Sequence, residues 1–365
     1  MKIKDFIDYE QPTDYIVESD RYSDKYETPV LTAGQSFVLG YTNEKEGIYN
    51  KNSCIIFDDF TTSVHYVDFP FKVKSSAMKI LTSKRDADLK YCYYLLLSLS
   101  KMPPNHKRQW ISTTSEKDHS LPSTENQVTI VKQLDLISKT ITWYKKQIEN
   151  LDVLVRSRFI EIFGDPENNN KAWKVKFLDN LCTVGSSKRI YQSEQSSEGI
   201  PFWRISDLVS KIDTGTVDSE LFISKTKYAE LEQAGLVPVT GDILLTSRGT
   251  LGKCYIIKDE DRFYFQDGMI SWLGNYSEEI TPIYLQYLFS MSGFRKQINR
   301  LQAGSTVAYL SIAMLKKLQV MVPDKTLQEQ FAGFVAQIDK SKSAIQAALD
   351  KTQLLFDSLM QEYFG

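Results

Sequence analysis

Residues 122–164 read PSTENQVTIVKQLDLISKTITWYKKQIENLDVLVRSRFIEIFG, and residues 323–365 read PDKTLQEQFAGFVAQIDKSKSAIQAALDKTQLLFDSLMQEYFG. The two stretches align without a gap: Pro122 with Pro323, Gln127 with Gln328, Ile137 with Ile338, Leu154 with Leu355, Ser157 with Ser358, Glu161 with Glu362, Phe163 with Phe364 and Gly164 with Gly365. One segment repeated after two different sequences predicts a pseudo-twofold molecule. In the first copy Ile130, Leu134, Ile137, Ile141, Ile148, Leu151 and Val155 form the stripe of a long amphipathic helix. Pro122 precedes it and Gly164-Asp165-Pro166 stops it. The second copy repeats the stripe with Phe331, Phe334, Val335, Ile338, Ile345, Leu349, Leu355 and Leu359. Each helix is expected to run about thirty residues, roughly 45 Å. Neither stripe can be buried within its own helix, so pairing as an antiparallel coiled coil is the economical solution. A coiled coil that binds a separate partner protein is the alternative.

Outward from the helices, residues 1–121 and 165–322 are rich in Tyr, Phe, Val, Ile and Thr. Short runs such as Cys54-Ile55-Ile56-Phe57 and Asp242-Ile243-Leu244-Leu245 are strand signals. Each stretch also carries one helix-like segment, residues 89–100 and 281–292, with a Tyr/Leu-rich apolar face. After it, Trp110-Ile111-Ser112 stands where Tyr309-Leu310-Ser311 stands. The expected fold class is therefore mixed α/β (α+β). Its plan is a globular domain over 1–121, a long helix over 122–164, a second domain over 165–322 and a second long helix over 323–365.

A chain of 365 residues gives room for two to three domains, each with its own core. Lys plus Arg number 44 against 46 Asp plus Glu, so the charge lacks the basic excess that would by itself announce nucleic-acid binding. Cys54, Cys92, Cys182 and Cys254 stand singly with no nearby His, which speaks against a zinc site and for a reducing compartment. The opening MKIKDFIDYEQPTDY is polar and acidic, unlike a signal or transit peptide. The longest apolar run, residues 91–99, is too short to cross a bilayer. A soluble, cytoplasmic protein with no membrane partner is expected.

Catalytic patterns are missing from the sequence: it holds no GxxxxGK[ST], HExxH or GxSxG. His65, His106 and His119 stand apart, and Met102-Pro103-Pro104-Asn105 has the prolines of an adenine-methyltransferase motif in the wrong order, so it reads as a turn. No catalytic or metal-binding residue is assigned. The suggestive polar residues sit at strand ends. Residues 241–253 form a strand running into a Gly-rich turn that presents Thr246, Ser247, Arg248, Thr250 and Lys253. Glycines permit close backbone approach, and Arg and Lys suit phosphate or a guanine edge. The first half offers Asp58, Thr61, Thr62 and His65, followed by Lys74 and Ser75. There a carboxylate and hydroxyls beside lysines could read base edges. Lys107 and Arg108 beside Gln109 and Trp110, then Lys188, Arg189 and Arg204, are further candidates for DNA contact. Ordinary hairpins with solvated charges would show the same residues.

The chain resembles the specificity subunits of type I restriction-modification systems (HsdS) over essentially its whole length. The resemblance is carried by Leu121-Pro122 through Gln127 and Val322-Pro323 through Gln328, which open the long helices. Ser157-Arg158-Phe159-Ile160-Glu161-Ile162-Phe163-Gly164-Asp165-Pro166 and Ser358-Leu359-Met360-Gln361-Glu362-Tyr363-Phe364-Gly365 close them. Residues 241–253 and Gly304-Ser305-Thr306 look like the family's target-recognition domains, which adds Ser305 and Thr306 to the DNA-contact candidates. Two features depart from the family. The first domain begins at Met1 without the Trp-containing opening strand many members carry, and Pro122-Ser123 has one proline where two are usual. The resemblance implies two target-recognition domains, each reading one half-site of a split duplex DNA sequence. Paired helices would hold them apart and dock two methyltransferase subunits, and translocase-nuclease subunits would add restriction. Catalysis would belong to those partners, as would S-adenosylmethionine, ATP and Mg, leaving this chain without a cofactor. A non-enzymatic cytosolic scaffold that binds protein partners through its coiled coil is the alternative.

Overall fold

The computed structural model describes residues 1–32, 36–84, 86–100, 107–301 and 308–365. The chain divides into two compact units, Met1–Lys146 with Gln346–Gly365 (unit 1) and Gln147–Ile345 (unit 2). Unit 1 contains β1 (Ile7–Glu10), β2 (Thr28–Leu31), β3 (Val38–Thr42), β4 (Cys54–Asp58), β5 (Val64–Val67), β6 (Lys72–Val73), β7 (Met78–Ser83), α1 (Leu89–Leu99) and the first part of α2 (Thr124–Phe163). Unit 2 takes the rest of α2, then β8 (Lys174–Phe177), β9 (Thr183–Gly185), β10 (Gln195–Ser196), β11 (Ile200–Trp203), α3 (Ile205–Thr214), β12 (Phe222–Ile223) and α4 (Lys225–Gln233). It continues through β13 (Ile243–Thr246), β14 (Cys254–Ile256), β15 (Tyr264–Phe265), β16 (Ile270–Gly274), α5 (Pro282–Ser290), α6 (Ser292–Arg300), α7 (Ile312–Lys316) and β17 (Gln319–Val322). The chain closes with α8 (Lys325–Phe364), whose second half belongs to unit 1.

Each unit is built on a four-stranded sheet, ordered β1-β7-β4-β5 in unit 1 and β9-β16-β13-β14 in unit 2. All neighbours in both sheets are antiparallel. The mixed α/β class and the duplicated plan are thus realised strand by strand. Registers match as well: Asp58 faces Met78 across β4 and β7 as Thr246 faces Ile270 across β13 and β16. Both central strands are buried along their whole length, which is why their sequences read as continuous apolar runs rather than alternating ones. Unit 1 adds the sheet β3-β2-β6, and unit 2 adds β10-β12-β11-β15 and the pair β17-β8.

Within unit 2 the closing half of α2 runs antiparallel to the opening half of α8. Asp152 pairs with Lys342, and farther along Phe159 and Phe163 meet Phe331 edge to face at 5.5 and 5.4 Å. Tyr284 of α5 stacks on Phe159 at 5.5 Å and joins the same core. Within unit 1 the opening half of α2 meets the closing half of α8. There Val131 and Leu134 pack with Phe356, Leu359, Met360 and Tyr363, beside Tyr91 and Tyr94 of α1. Each helix runs 40 residues, about 60 Å, longer than the thirty or so expected. The extra turns are anchored by contacts to the globular parts, which stripe counting does not register.

A buried glutamine locks each helix start to its own unit. Gln127 Oε1 accepts the Asp88 N–H at 2.8 Å, while its Nε2 donates to Pro122 O at 2.8 Å and Asp86 O at 3.2 Å. Gln328 does the same in unit 2, accepting from Thr281 N–H and donating to Pro323 O and Glu279 O, each at 2.8 Å. Both amides are fully buried.

The four cysteines are buried and unpaired, and burial pushes the thiols of Cys54, Cys92 and Cys182 up to about 12. Among the described residues no group of His, Cys, Asp or Glu could hold a metal ion. No described helix is long and apolar enough to cross a membrane.

Candidate nucleic-acid interface

In unit 2, four loops gather at the end of the sheet where β13 gives way to residues 247–253. Ser247 N–H donates to Met269 O at 2.9 Å, Leu310 N–H donates to Ser247 O at 2.9 Å, and Arg248 is bridged to Tyr309. The loop at 186–189 joins them: Ser186 Oγ donates to Ile270 O (2.9 Å), Lys188 N–H donates to Tyr264 Oη (2.8 Å), and Arg189 pairs with Asp267 (2.9 Å). The buried hydroxyls tie the turn together from inside. Thr246 Oγ1 accepts Lys253 N–H at 3.0 Å and donates to Thr250 O, and Ser247 Oγ meets Ser271 Oγ at 2.7 Å. Gly249 and Gly252 take φ of +70° and +73°, the left-handed region that lets the chain reverse around Arg248 and Thr250.

Unit 1 builds the matching ridge from the β4–β5 turn. Asp58 N–H donates to Ser63 O (2.9 Å), Thr62 N–H to Asp58 O (3.0 Å), and Asp58 Oδ1 accepts from Phe60 and Thr61 N–H at 2.6 and 2.9 Å. Asp59 N–H donates to Ala77 O at 3.1 Å, and Gln109 N–H donates to Asp59 O at 2.8 Å. These bonds repeat those of Ser247 with Met269 and Leu310, so Asp59 corresponds to Ser247 and Gln109 to Leu310. Beneath the turn, the buried pair of Ser247 with Ser271 is replaced by a fully buried Asp59 carboxylate. It lies 3.2 Å from Lys79 Nζ and accepts Trp110 N–H at 2.8 Å. Lys79 also donates to Gln11 Oε1 at 2.9 Å. Thr62 takes φ of +60° where unit 2 uses Gly252, an uncommon conformation for a β-branched residue. Ser100 Oγ braces it by donating to its carbonyl at 2.7 Å.

The candidate residues divide by exposure. Ser75, Lys107, Arg108, Lys188, Arg189, Arg248 and Thr250 are exposed; Thr61, His65, Lys74, Arg204 and Lys253 are half-buried. Asp58, Thr62, Thr246 and Ser247 are buried, and the bonds above give their polar groups the work of shaping the turns. Lys74 pairs with Asp20, Lys253 with Asp213 at 2.5 Å, and Arg204 with Glu220 at 3.4 Å while its N–H caps α3 through Asp207. His65 stacks on Phe37 at 3.9 Å, and burial holds its imidazole below the usual range. Ser305 and Thr306, like His106 and Met102-Pro103-Pro104-Asn105, lie outside the described residues.

Two ridges of one topology, with exposed Arg248 on the glycine-shaped turn of unit 2 and exposed Lys107 and Arg108 on the loop bonded to the Asx-shaped turn of unit 1, suit contact with a polyanion. The family model of the type I restriction modification DNA specificity domain matches residues 170–352. The EcoR124I/EcoR124II specificity subunit of Escherichia coli is 32% identical over 372 residues, covering 94% of this chain and 87% of that protein. The chain belongs to the type I restriction-modification specificity subunits. A further family relative, the Haemophilus influenzae putative specificity subunit S.HindORF215P, is 23% identical, with 90% of this chain and 83% of that protein covered. The S subunit of M. genitalium, solved by crystallography, shares the fold at TM-score 0.62 and 16% identity, over 100% of this chain and 95% of that one. A chain solved in a study of complex assembly and conformational transition of a type I system matches at TM-score 0.51 and 13% identity, over 98% and 97%.

Phe60 and Tyr309, which are not among the candidates named from the sequence, also lie on these ridges, and the sequence reading misplaced one correspondence in this specificity subunit. Leu310 answers to Gln109, so Tyr309 answers to Arg108 rather than to Trp110. The signal lay in the repeat itself. The separation that aligns Gln127 with Gln328 also aligns Gln109 with Leu310. Residues nearer the start of each unit need smaller separations, because loops in unit 2 are longer.

Proposed function

We propose that this chain is the non-catalytic, DNA-reading subunit of a type I modification and restriction complex, and that unit 1 and unit 2 each read one half of an asymmetric split site. The carrying observation is the pair of ridges: one backbone plan repeated with unlike side chains, as two different half-sites would require. Major-groove reading by strand-end loops fits exposed cations on rigid turns. Asp58, Thr62, Thr246 and Ser247 act by shaping those turns, and the exposed and half-buried candidates make the contacts. Ser305 and Thr306 stay candidates by resemblance alone. The helices α2 and α8, each shared by both units, dock two methyltransferase subunits and set the length of the unread spacer. S-adenosylmethionine, ATP and Mg act in the partner subunits, where methyl transfer, translocation and cleavage take place in the cytoplasm.

Methylome sequencing of a host with and without this chain tests the reading. A split adenine-methylation motif that appears only when the chain is present is expected; an identical methylome in both hosts overturns it. Adding one matched helical turn to α2 and α8 should lengthen the spacer and leave both half-sites unchanged. A protein scaffold would show no such dependence.

A further inference from the structure

The two ridges differ in how their cations are engaged. In unit 2, Lys253, Arg189 and Arg204 are committed to Asp213, Asp267 and Glu220. Arg248 is exposed, has no carboxylate within ion-pair distance among the described residues, and rests one guanidinium nitrogen 3.8 Å from Met269 Sδ. Its backbone is fixed by the bridge to Tyr309, a residue that is 41% exposed. In unit 1 the same two backbone positions hold Phe60 and Arg108. Phe60 follows Asp59 as Arg248 follows Ser247, and Arg108 precedes Gln109 as Tyr309 precedes Leu310. Arg108 is likewise exposed and free of carboxylates among the described residues. Each ridge therefore presents one uncommitted arginine and one aromatic residue on two adjoining loops, Tyr309 exposed and Phe60 half-buried, with the two residue types exchanged between units.

Guanidinium and ring have different uses at a DNA edge. A planar five-donor fork matches guanine O6 and N7 bidentately, and an apolar ring in the major groove packs on a thymine methyl. Lys107 and Lys188, also without carboxylate partners among the described residues, are flexible point charges suited to phosphate. We propose that Arg248 with Tyr309, and Arg108 with Phe60, are the base-reading pairs of this chain, each arginine reading a guanine and each ring a thymine methyl at a neighbouring base pair of the same half-site. This rests on the DNA-reading function proposed above and specifies its residues and bases. The exchange of positions means the order of guanine and thymine contacts along the groove differs between half-sites, which helps make the site asymmetric. The turns hold these side chains ready: the left-handed Gly249 follows Arg248 directly, and the left-handed Thr62 closes the turn that carries Phe60.

The test is methylation-motif sequencing with the modification complex assembled on this chain, comparing wild type with Arg248→Gln, Arg248→Lys, Tyr309→Ala, Arg108→Gln and Phe60→Ala. Expected is a loss of guanine preference on the order of ten- to a hundredfold at one position for each Arg→Gln variant. Arg248→Lys should lose the same preference despite keeping its charge. Tyr309→Ala should relax a thymine in the half-site affected by Arg248, and Phe60→Ala one in the half-site affected by Arg108. The proposal is overturned by uniformly lower methylation with an unchanged motif, which marks a phosphate contact, or by Arg248 and Tyr309 acting on different half-sites. Should a variant methylate nothing, competition between the motif duplex and its single-base variants reads the same preference from binding, and an unchanged order of competition overturns the assignment. A wild-type complex without a split motif sinks the DNA-reading function itself, which separates the two failures.

Discussion

Lys79 and Asp59 are an ion pair with no exposure to water, and the other unit shows what the site looks like without charge. Ser271 and Ser247 hold the equivalent positions and bond to each other at 2.7 Å. Charges removed from water cost free energy that only their mutual partnership offsets, so stranding one is worse than removing both. Lys79→Met should destabilise unit 1 by about 3–5 kcal/mol, while Asp59→Ser with Lys79→Ser should recover most of that loss. Urea unfolding followed by Trp110 fluorescence measures both; a double variant no better than the single one would contradict this view. Gln328→Leu leaves the Thr281 N–H and two carbonyls buried without partners, and a loss of about 3 kcal/mol from unit 2 is expected in urea unfolding followed by the fluorescence of Trp203 and Trp272. His65 sets a pH dependence. Burial lowers its folded pKa below the unfolded value, so its contribution is fully present above about 6.5 and falls away as pH drops toward the folded value. Unit 1 should lose stability between pH 7.5 and pH 6, where carboxylates remain ionised; burial lowers His119 of the same unit as well, so His65→Phe should reduce that slope and leave the His119 part.

At the scale of elements, α2 and α8 are stabilised by packing rather than by propensity. The ends of the pair in unit 2 are held by Phe159, Phe163 and Phe331, all fully buried, the first two against Tyr284 and the third against Tyr287. Phe159→Ala should cost unit 2 about 3–5 kcal/mol, read by denaturation. The exit of α2 is closed by its own connector. Lys171 Nζ donates to Glu161 O at 2.6 Å and Ile162 O at 3.0 Å, and Trp173 Nε1 donates to Phe163 O at 2.8 Å, satisfying carbonyls that a helix end leaves open. A positive charge there also suits the negative end of the helix dipole. The apolar stripes made these helices legible in the sequence. Gly164 and Gly365 marked where they end, but not that Phe163 and Phe364 contact the tyrosines of α5 and α1 rather than continuing a simple coiled-coil seam.

For the molecule as a whole, a formal net charge of −2 bounds what the chain does alone. Phosphate neutralisation supplies most of the free energy of binding to duplex DNA, and many basic residues here are already paired with carboxylates of the same chain. The isolated subunit should bind its site weakly at about 150 mM salt, and the methyltransferase subunits should raise the affinity by orders of magnitude. Fluorescence anisotropy with and without those partners measures this; tight specific binding by the lone chain would contradict the division of labour.

The sequence by itself determined the duplication, the two helices, the mixed α/β class and the strands at residues 54–57 and 242–245. Each of these rests on a local period or a long apolar run, and side-chain pattern alone encodes them. Only the tertiary structure decided that Phe60 answers to Arg248. It also revealed Asp58, Thr62, Thr246 and Ser247 as buried parts of turns, and the separate globular stretches as units completed by half of each long helix. Those facts depend on hydrogen-bond registers between segments far apart in the chain, and loops of unequal length erase any fixed spacing that could have announced them.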